Sequence, residues 1–218
     1  MCSSDLTAWD GSYTTDEIGP AIFEAFWLFW RRRVAAARFP TRWVELAAER
    51  SGALARRLLQ GEMEAWFDGQ DVSGEIAGCC REAMSWLCAQ CGTQIEGWRW
   101  GHLHSVLFPH PLGQHSDRLR ALFSPGPFPT SGGNGTVRAA GFSTVQPFVM
   151  TSGSTYRLVV DMGREGWAMA TTTGGRSGYV GSERYADQTQ LWLDDAYHPL
   201  VMDLRDEDVE GRLYLVPK

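Results

Sequence analysis

"WRWGHLHSVLFPHPLG", Trp98–Gly113, is where the pattern of the chain changes. Before it, apolar residues recur every three or four positions. After it, they alternate in twos. A chain that reads as helix and then as strand, without regular interleaving, belongs to the α+β class rather than to a parallel α/β sheet.

On the N-terminal side, residues 6–97 form a helical region. "GPAIFEAFWLFWRRRVAAARFP" has Gly19 and Pro20 as start signals and Pro40 beyond its end. Ile22, Phe23, Phe26, Trp27, Trp30 and Val34 recur at helical spacing and define a broad apolar face. "TRWVELAAER" and "SGALARRLLQ" predict shorter helices with Thr41 and Ser51 as N-caps. "SGEIAGCCREAMSWLCAQCG" predicts another, capped by Ser73 and closed by Gly92.

On the C-terminal side, residues 98–135 read as a long ordered loop, rich in Pro, Gly and Ser from Gly113 onward. Residues 136–218 read as β-rich. "TYRLVVDMG" and "WAMATTTGG" alternate in period two across "GREG", which predicts a hairpin with Tyr156, Leu158, Val160 and Met162 on one face. "SERYADQTQLWLDD" predicts a helix capped by Ser182, with Tyr185, Gln188 and Trp192 along one side. "YHPLVMDL" and "GRLYLVPK" predict closing strands. With 218 residues and no repeat, all of this fits one domain.

Composition narrows the function classes. Basic residues number 20 and acidic residues 26, a formal charge of −6. That argues against a nucleic-acid partner, which calls for a basic surface. The run Arg31–Arg33 falls within a helical pattern and reads as a solvated helix edge. Without a long apolar run, no membrane partner is expected. Five cysteines, four of them between Cys79 and Cys91, do not form a secreted disulfide framework.

Local motifs supply little chemistry. Cys2, freed by removal of Met1, would join a thiol and an α-amine, which together can act as nucleophile and base. Its surroundings, "CSSDLTAWDG", are polar and turn-like rather than a buried strand. Cys79, Cys80, Cys88 and Cys91 invite a zinc site. However, Cys80 and Cys88 on one helix stand about 12 Å apart, and zinc holds sulfur at about 2.3 Å. They read as small buried hydrophobes. His102 and His104, two apart in a strand, could share a metal, with His110 and His115 following, but no acid flanks them. "GGRSG", Gly174–Gly178, lacks a residue of the serine-nucleophile pattern. "SGGNGTV" lacks the Lys-Ser/Thr of a phosphate loop, and Asn134-Gly135 reads as a tight turn. The ten tryptophans fall mostly on periodic faces and read as core. Spacing alone thus assigns no catalytic, cofactor-binding or metal residue.

The longer segments are more specific. Trp98–Gly113 resembles the W-x-W-G-x-x-H…H-P-L stretch of the penicillin acylase family, amidases of the N-terminal nucleophile class. "SGGNGTVRAAG" resembles that family's G-G-x-x-T-V-N turn. "STYRLVVDMG" resembles its S-x-R-x-V-x-D strand, and "GGRSGYVGSERYADQTQLWLDDAYHPLVMD" its closing segment. "LTAWDGSYTTDEIGPAIFEAFW" resembles its W-D-G lead into a long helix. Arg138 and Arg176 stand where the family often has Asn and Gln.

The resemblance implies the C-terminal portion of the β subunit of an αββα hydrolase. Such an enzyme cleaves linear amides by acyl transfer to an N-terminal Ser, with water completing the cycle. The nucleophile, the oxyanion Asn and the calcium ligands of the family would lie upstream, so no cofactor and no catalytic residue is assigned to this chain. The implied partners are the upstream β segment, the α subunit and a small acyl-amide substrate, and family members are often periplasmic. Residues 1–5 match none of these motifs and read as a non-native leader. In one frame the common sequencing-adapter end GCTCTTCCGATCT encodes the same Ser-Ser-Asp-Leu. Two alternatives stay open: a non-catalytic binding module on the same scaffold, and an amidase using Cys2.

Overall fold

A computed structural model describes residues 6–69, 71–202, 205, 209 and 211–217. Cys2 and the leader segment 1–5 lie outside the described residues. The architecture is mixed: helices fill the first half, and short antiparallel strands follow. The chain divides into two compact units, Met1–Gly153 and Ser154–Lys218.

In the first unit the long helix α1 spans Gly19–Ala36, with Pro20 in its first turn. It packs against α2 (Val44–Arg50), α3 (Gly52–Leu59) and α4 (Val72–Cys91). The buried stripe of α1 includes Ala21, Glu24, Ala25 and Leu28, spaced three and four apart, and continues through Trp30 and Val34. Phe23, Phe26 and Trp27, expected on the core face, are only half-buried. The helix instead buries Ala21, Ile22, Ala25, Leu28 and Trp30.

Two apolar clusters result. One joins Ile22, Ala25 and Leu28 of α1 to Ala83 and Leu87 of α4 and to Trp98, Trp100 and Phe148. The other joins Trp30 and Val34 to Ala55, Leu58, Phe67 and Cys79. The tryptophans also satisfy their polar ends on backbone carbonyls. Trp30 Nε1 donates to Ala55 at 2.9 Å, Trp66 Nε1 to Val34 at 2.9 Å and Trp98 Nε1 to Gly92 at 2.8 Å. Trp43, by contrast, is exposed.

Helix ends differ from expectation. Thr41 opens a 3-10 turn rather than capping α2. Ser51 occupies the cap position of α3, but its hydroxyl donates backward to the Ala48 carbonyl. Asp71, not Ser73, caps α4, accepting from the Ser73 amide at 3.0 Å. A carboxylate two residues earlier reaches the first free amides better than a hydroxyl already inside the turn. Gly92 closes α4 with φ +84°, as its composition predicted.

The stretch 98–135 is ordered by short elements. These are α5 (Trp100–Leu103), β1 (Ser105–Val106), a 3-10 turn at Pro111–Gln114, α6 (Asp117–Phe123) and β2 (Phe128–Pro129). β1 pairs antiparallel with β2, and β3 (Ala140–Gly141) with β4 (Ser152–Gly153).

The second unit holds a three-stranded antiparallel sheet in the order β5 (Tyr156–Val160), β6 (Ala168–Thr172), β7 (His198–Leu200). The expected hairpin is present, with Tyr156 opposite Thr172 and Val160 opposite Ala168. The helix expected from Ser182 begins only at Thr189, as α7 (Thr189–Leu193). Ser182 instead accepts from the Arg184 amide and makes a local turn. The expected strand "GRLYLVPK" is not found among the described residues 211–217, where Leu213, Tyr214, Leu215 and Val216 stand exposed. Alternation alone does not make a strand, because a strand needs a paired neighbour.

Candidate functional site

The motif Trp98–His104 folds into one helical turn and anchors the first unit. Trp100 is fully buried and donates from Nε1 to the Gly132 carbonyl at 2.8 Å. Its ring stacks on His104 with centroids 4.6 Å apart, and Tyr13 meets it edge-on at 5.7 Å. Phe142 and Phe148 complete the cluster.

His104 is fully buried, and its Nδ1–H donates to the Phe148 carbonyl at 3.0 Å. Burial and, secondarily, the charge of Arg138 bring its pKa down to about 4, against the opposing pull of its backbone contacts. The imidazole is therefore neutral and acts as a spacer between rings. Phe148 lies in the left-handed region at φ +67°. Its carbonyl also accepts the Ser105 amide, so two hydrogen bonds and its buried ring hold a conformation a β-carbon resists.

The Gly-rich turn closes onto this motif. Gly132 has φ +87°, and a Cβ there would collide with the Arg138 carbonyl. Gly133 lets the Tyr13 ring approach: a Cβ would meet it at 2.9 Å. Asn134 mimics a strand partner, accepting from the Phe142 amide at 3.2 Å and donating to its carbonyl at 3.0 Å. Thr136 Oγ1 accepts from the Gly133 amide at 2.9 Å. The expected turn at Asn134-Gly135 is present, with Gly135 at φ +78°. Farther along, Thr144 is locked to α2: its amide donates to Glu49 at 2.7 Å and its hydroxyl to the same carboxylate at 2.9 Å. Arg32 Nη2 donates to the Thr144 carbonyl at 3.0 Å.

The remaining histidines do not converge. His102 is exposed and pairs with the Gly97 carbonyl at 2.7 Å, whereas His104 points inward. They flank the end of a helical turn rather than sharing a strand face. His110 accepts the Leu112 amide and stacks on Phe123, and His115 is exposed. The cysteines also separate. Cys79 joins the second apolar cluster, Cys88 and Cys91 pack against the first, and Cys80 is exposed rather than buried. Among the described residues, no group of three or more His, Cys, Asp or Glu is placed to hold a metal ion.

In the second unit "GGRSG" and "YADQ" form one structure. The Gln188 amide donates to the Gly174 carbonyl at 3.1 Å, and its side-chain oxygen accepts from Thr172 at 3.2 Å. Thr189 Oγ1 donates to Thr173 at 2.8 Å. Gly175 lets this closure happen, since a Cβ would strike the Arg184 carbonyl. Ser177 Oγ accepts from the Tyr179 amide, a turn role rather than a nucleophile's. Arg176 reaches Asp187 at 3.8 Å, a weak, exposed pair.

The sequence reading missed one group, Glu24. It sits in the buried stripe of α1 at 4% exposure and accepts the Tyr13 hydroxyl at 2.9 Å. Burial lifts its carboxyl to about 7, against opposing contributions from Tyr13 and Arg31. The signal was present: Glu24 lies three and four residues from Ala21 and Leu28, on their face.

Comparison with known proteins agrees with the motifs. Residues 3–208 match the family described as penicillin amidase. The chain is 27% identical over 202 residues to the penicillin acylase 2 proenzyme of Pseudomonas sp. strain SE83, covering 90% of this chain and 26% of that one. It is 26% identical over 230 residues to the acyl-homoserine lactone acylase QuiP of Pseudomonas fluorescens Pf-5, covering 98% and 27%. The QuiP of P. fluorescens Pf0-1 is 30% identical over 151 residues, 68% of this chain and 18% of that one. The chain thus spans about a quarter of the length of the first two relatives.

Proposed function

Since the chain belongs to the penicillin amidase family, we propose that it is the C-terminal portion of the β subunit of an amidohydrolase with an αββα sandwich. The whole enzyme would hydrolyse linear acyl-amides, of the kinds the names of its relatives record for penicillin and acyl-homoserine lactone acylases. The observation that carries this reading is a family match along nearly the whole chain combined with coverage of only a quarter of its relatives.

The chemistry of that enzyme would reside in its upstream part. There an N-terminal Ser would attack the carbonyl with its own amine as base, and backbone and Asn donors would hold the oxyanion. Calcium, if the parent enzyme carries it, would be held upstream too. This chain would contribute scaffold: the Trp100 cluster and the sheet of the second unit. By itself it would be inactive, and its partners would be the upstream β segment and the α subunit.

The test is an amide-hydrolysis assay with penicillin and acyl-homoserine lactone substrates, on the chain alone and co-expressed with the upstream part of a family proenzyme. Activity only on co-expression is the expected outcome. Hydrolysis by the chain alone, abolished by thiol alkylation, would establish a Cys2 nucleophile instead. A soluble, monomeric chain that stays inactive in both settings would favour a binding module.

A further inference from the structure

The segment leading into α1, residues 9–18, is docked by three backbone hydrogen bonds, the exposed Arg99–Asp16 ion pair at 2.8 Å and one half-buried side-chain contact. The Gly132 amide donates to the Tyr13 carbonyl at 2.7 Å, Gly101 to Thr15 at 2.8 Å, and Trp100 to Glu17 at 2.7 Å. The donors belong to the Trp100 cluster and its Gly-rich turn; the acceptors belong to the lead-in. The side-chain contact is Tyr13 with Glu24, beneath the Trp9 and Trp100 rings that Tyr13 touches at 5.4 and 5.7 Å.

The groups facing this contact are few. From the lead-in comes the Tyr13 hydroxyl. From α1 comes Arg31, which is turned to α2, where it donates to the Ala48 and Glu49 carbonyls at 2.8 and 2.6 Å. The α4 acids Glu75 and Glu82 engage Arg33 instead. From α5, neutral His104 lies against Trp100. A carboxylate formed at Glu24 would thus be buried against a phenol, with its nearest cation committed to other acceptors. Water reaches it only if the lead-in lifts.

We propose that the Glu24–Tyr13 contact is a proton-sensitive clasp: with Glu24 protonated the lead-in stays docked on α1 and the Trp100 cluster, and loss of that proton to solvent releases it. The clasp is independent of the amidase reading, because it rests on the first unit alone. It is a device by which pH sets whether the approach to α1 is closed or open.

Hydrogen exchange of the whole chain tests it. The amides of Trp100, Gly101 and Gly132 report docking, and those of Ala83 and Leu87 in α4 serve as reference. Corrected for intrinsic exchange, protection of the three reporters should fall about tenfold per pH unit between about 4.5 and 7, level off above 7, and stay below that of the reference throughout. In Glu24→Gln the reporters should hold their protection across the same range. Level protection in the wild type, or an equal fall in Glu24→Gln, would overturn the clasp. If Glu24→Gln does not fold, carbon-13 titration of the Glu24 carboxyl in the wild type decides. A midpoint near 7, where the loss of protection levels off, supports the clasp, and a midpoint in the ordinary glutamate range refutes it.

Discussion

At the scale of single residues, burial sets the behaviour of the polar groups. Glu24 prefers the protonated form, because its folded value of about 7 lies above the ordinary 4.5. Its contribution to stability is full below about pH 4.5 and is lost as pH rises through 7. The difference is worth about 3 kcal/mol. Chemical denaturation from pH 5 to 8 should show this decline in the wild type and a flatter profile in Glu24→Gln. The two turn glycines make a second test. Gly132 and Gly135 both have positive φ, but only at Gly132 would a Cβ strike backbone. Gly135→Ala should cost about 1 kcal/mol, and Gly132→Ala should exceed it by about 1–3 kcal/mol, measured as a shift in the unfolding midpoint. Neither the raised carboxyl nor the collision could be read from composition, since each depends on residues more than five positions away.

Among the elements, the helical layer and the loop after β3 are tied by Thr144. Thr144→Val keeps the shape but removes a donor from the half-buried Glu49 carboxylate. It should cost about 1–3 kcal/mol and loosen the exchange of the segment around Phe148. The hairpin β5–β6 behaves differently. Arg157 packs over Trp192 at 4.4 Å and anchors one face to α7. Tyr156, Leu158 and Val160 on the opposite face are each about half exposed. Among the described residues β5 is also an edge strand, which leaves an apolar row beside backbone that no described strand pairs. The double substitution Leu158→Thr with Val160→Thr should leave the unfolding midpoint within about 0.5 kcal/mol and reduce light scattering on storage. The hairpin was legible because its alternation and turn are local. The displaced start of α7 was not, because the residues before Thr189 spend their hydrogen bonds closing on Gly174 and on local turns.

For the whole molecule, both units carry exposed apolar residues, which the proposed reading assigns to surface that further chain would cover. The isolated protein should bind a hydrophobic dye strongly, and co-expression with the upstream part of a family proenzyme should lower that binding. If dye binding is weak for the chain alone, the scaffold is self-sufficient. The sequence by itself determined the α+β class, the long helix with its proline start, the hairpin and the family, because each rests on periodicity or on ordered local motifs. It also left the chain without an assigned catalytic residue. Only the tertiary structure decided which face of α1 is buried, that His104 is a neutral spacer rather than a ligand, and that Tyr13 and Glu24 meet beneath Trp100. The reason is physical: burial, pKa and ring contacts arise where segments far apart in the chain come together, and a pattern along the chain records only the neighbours within a few residues.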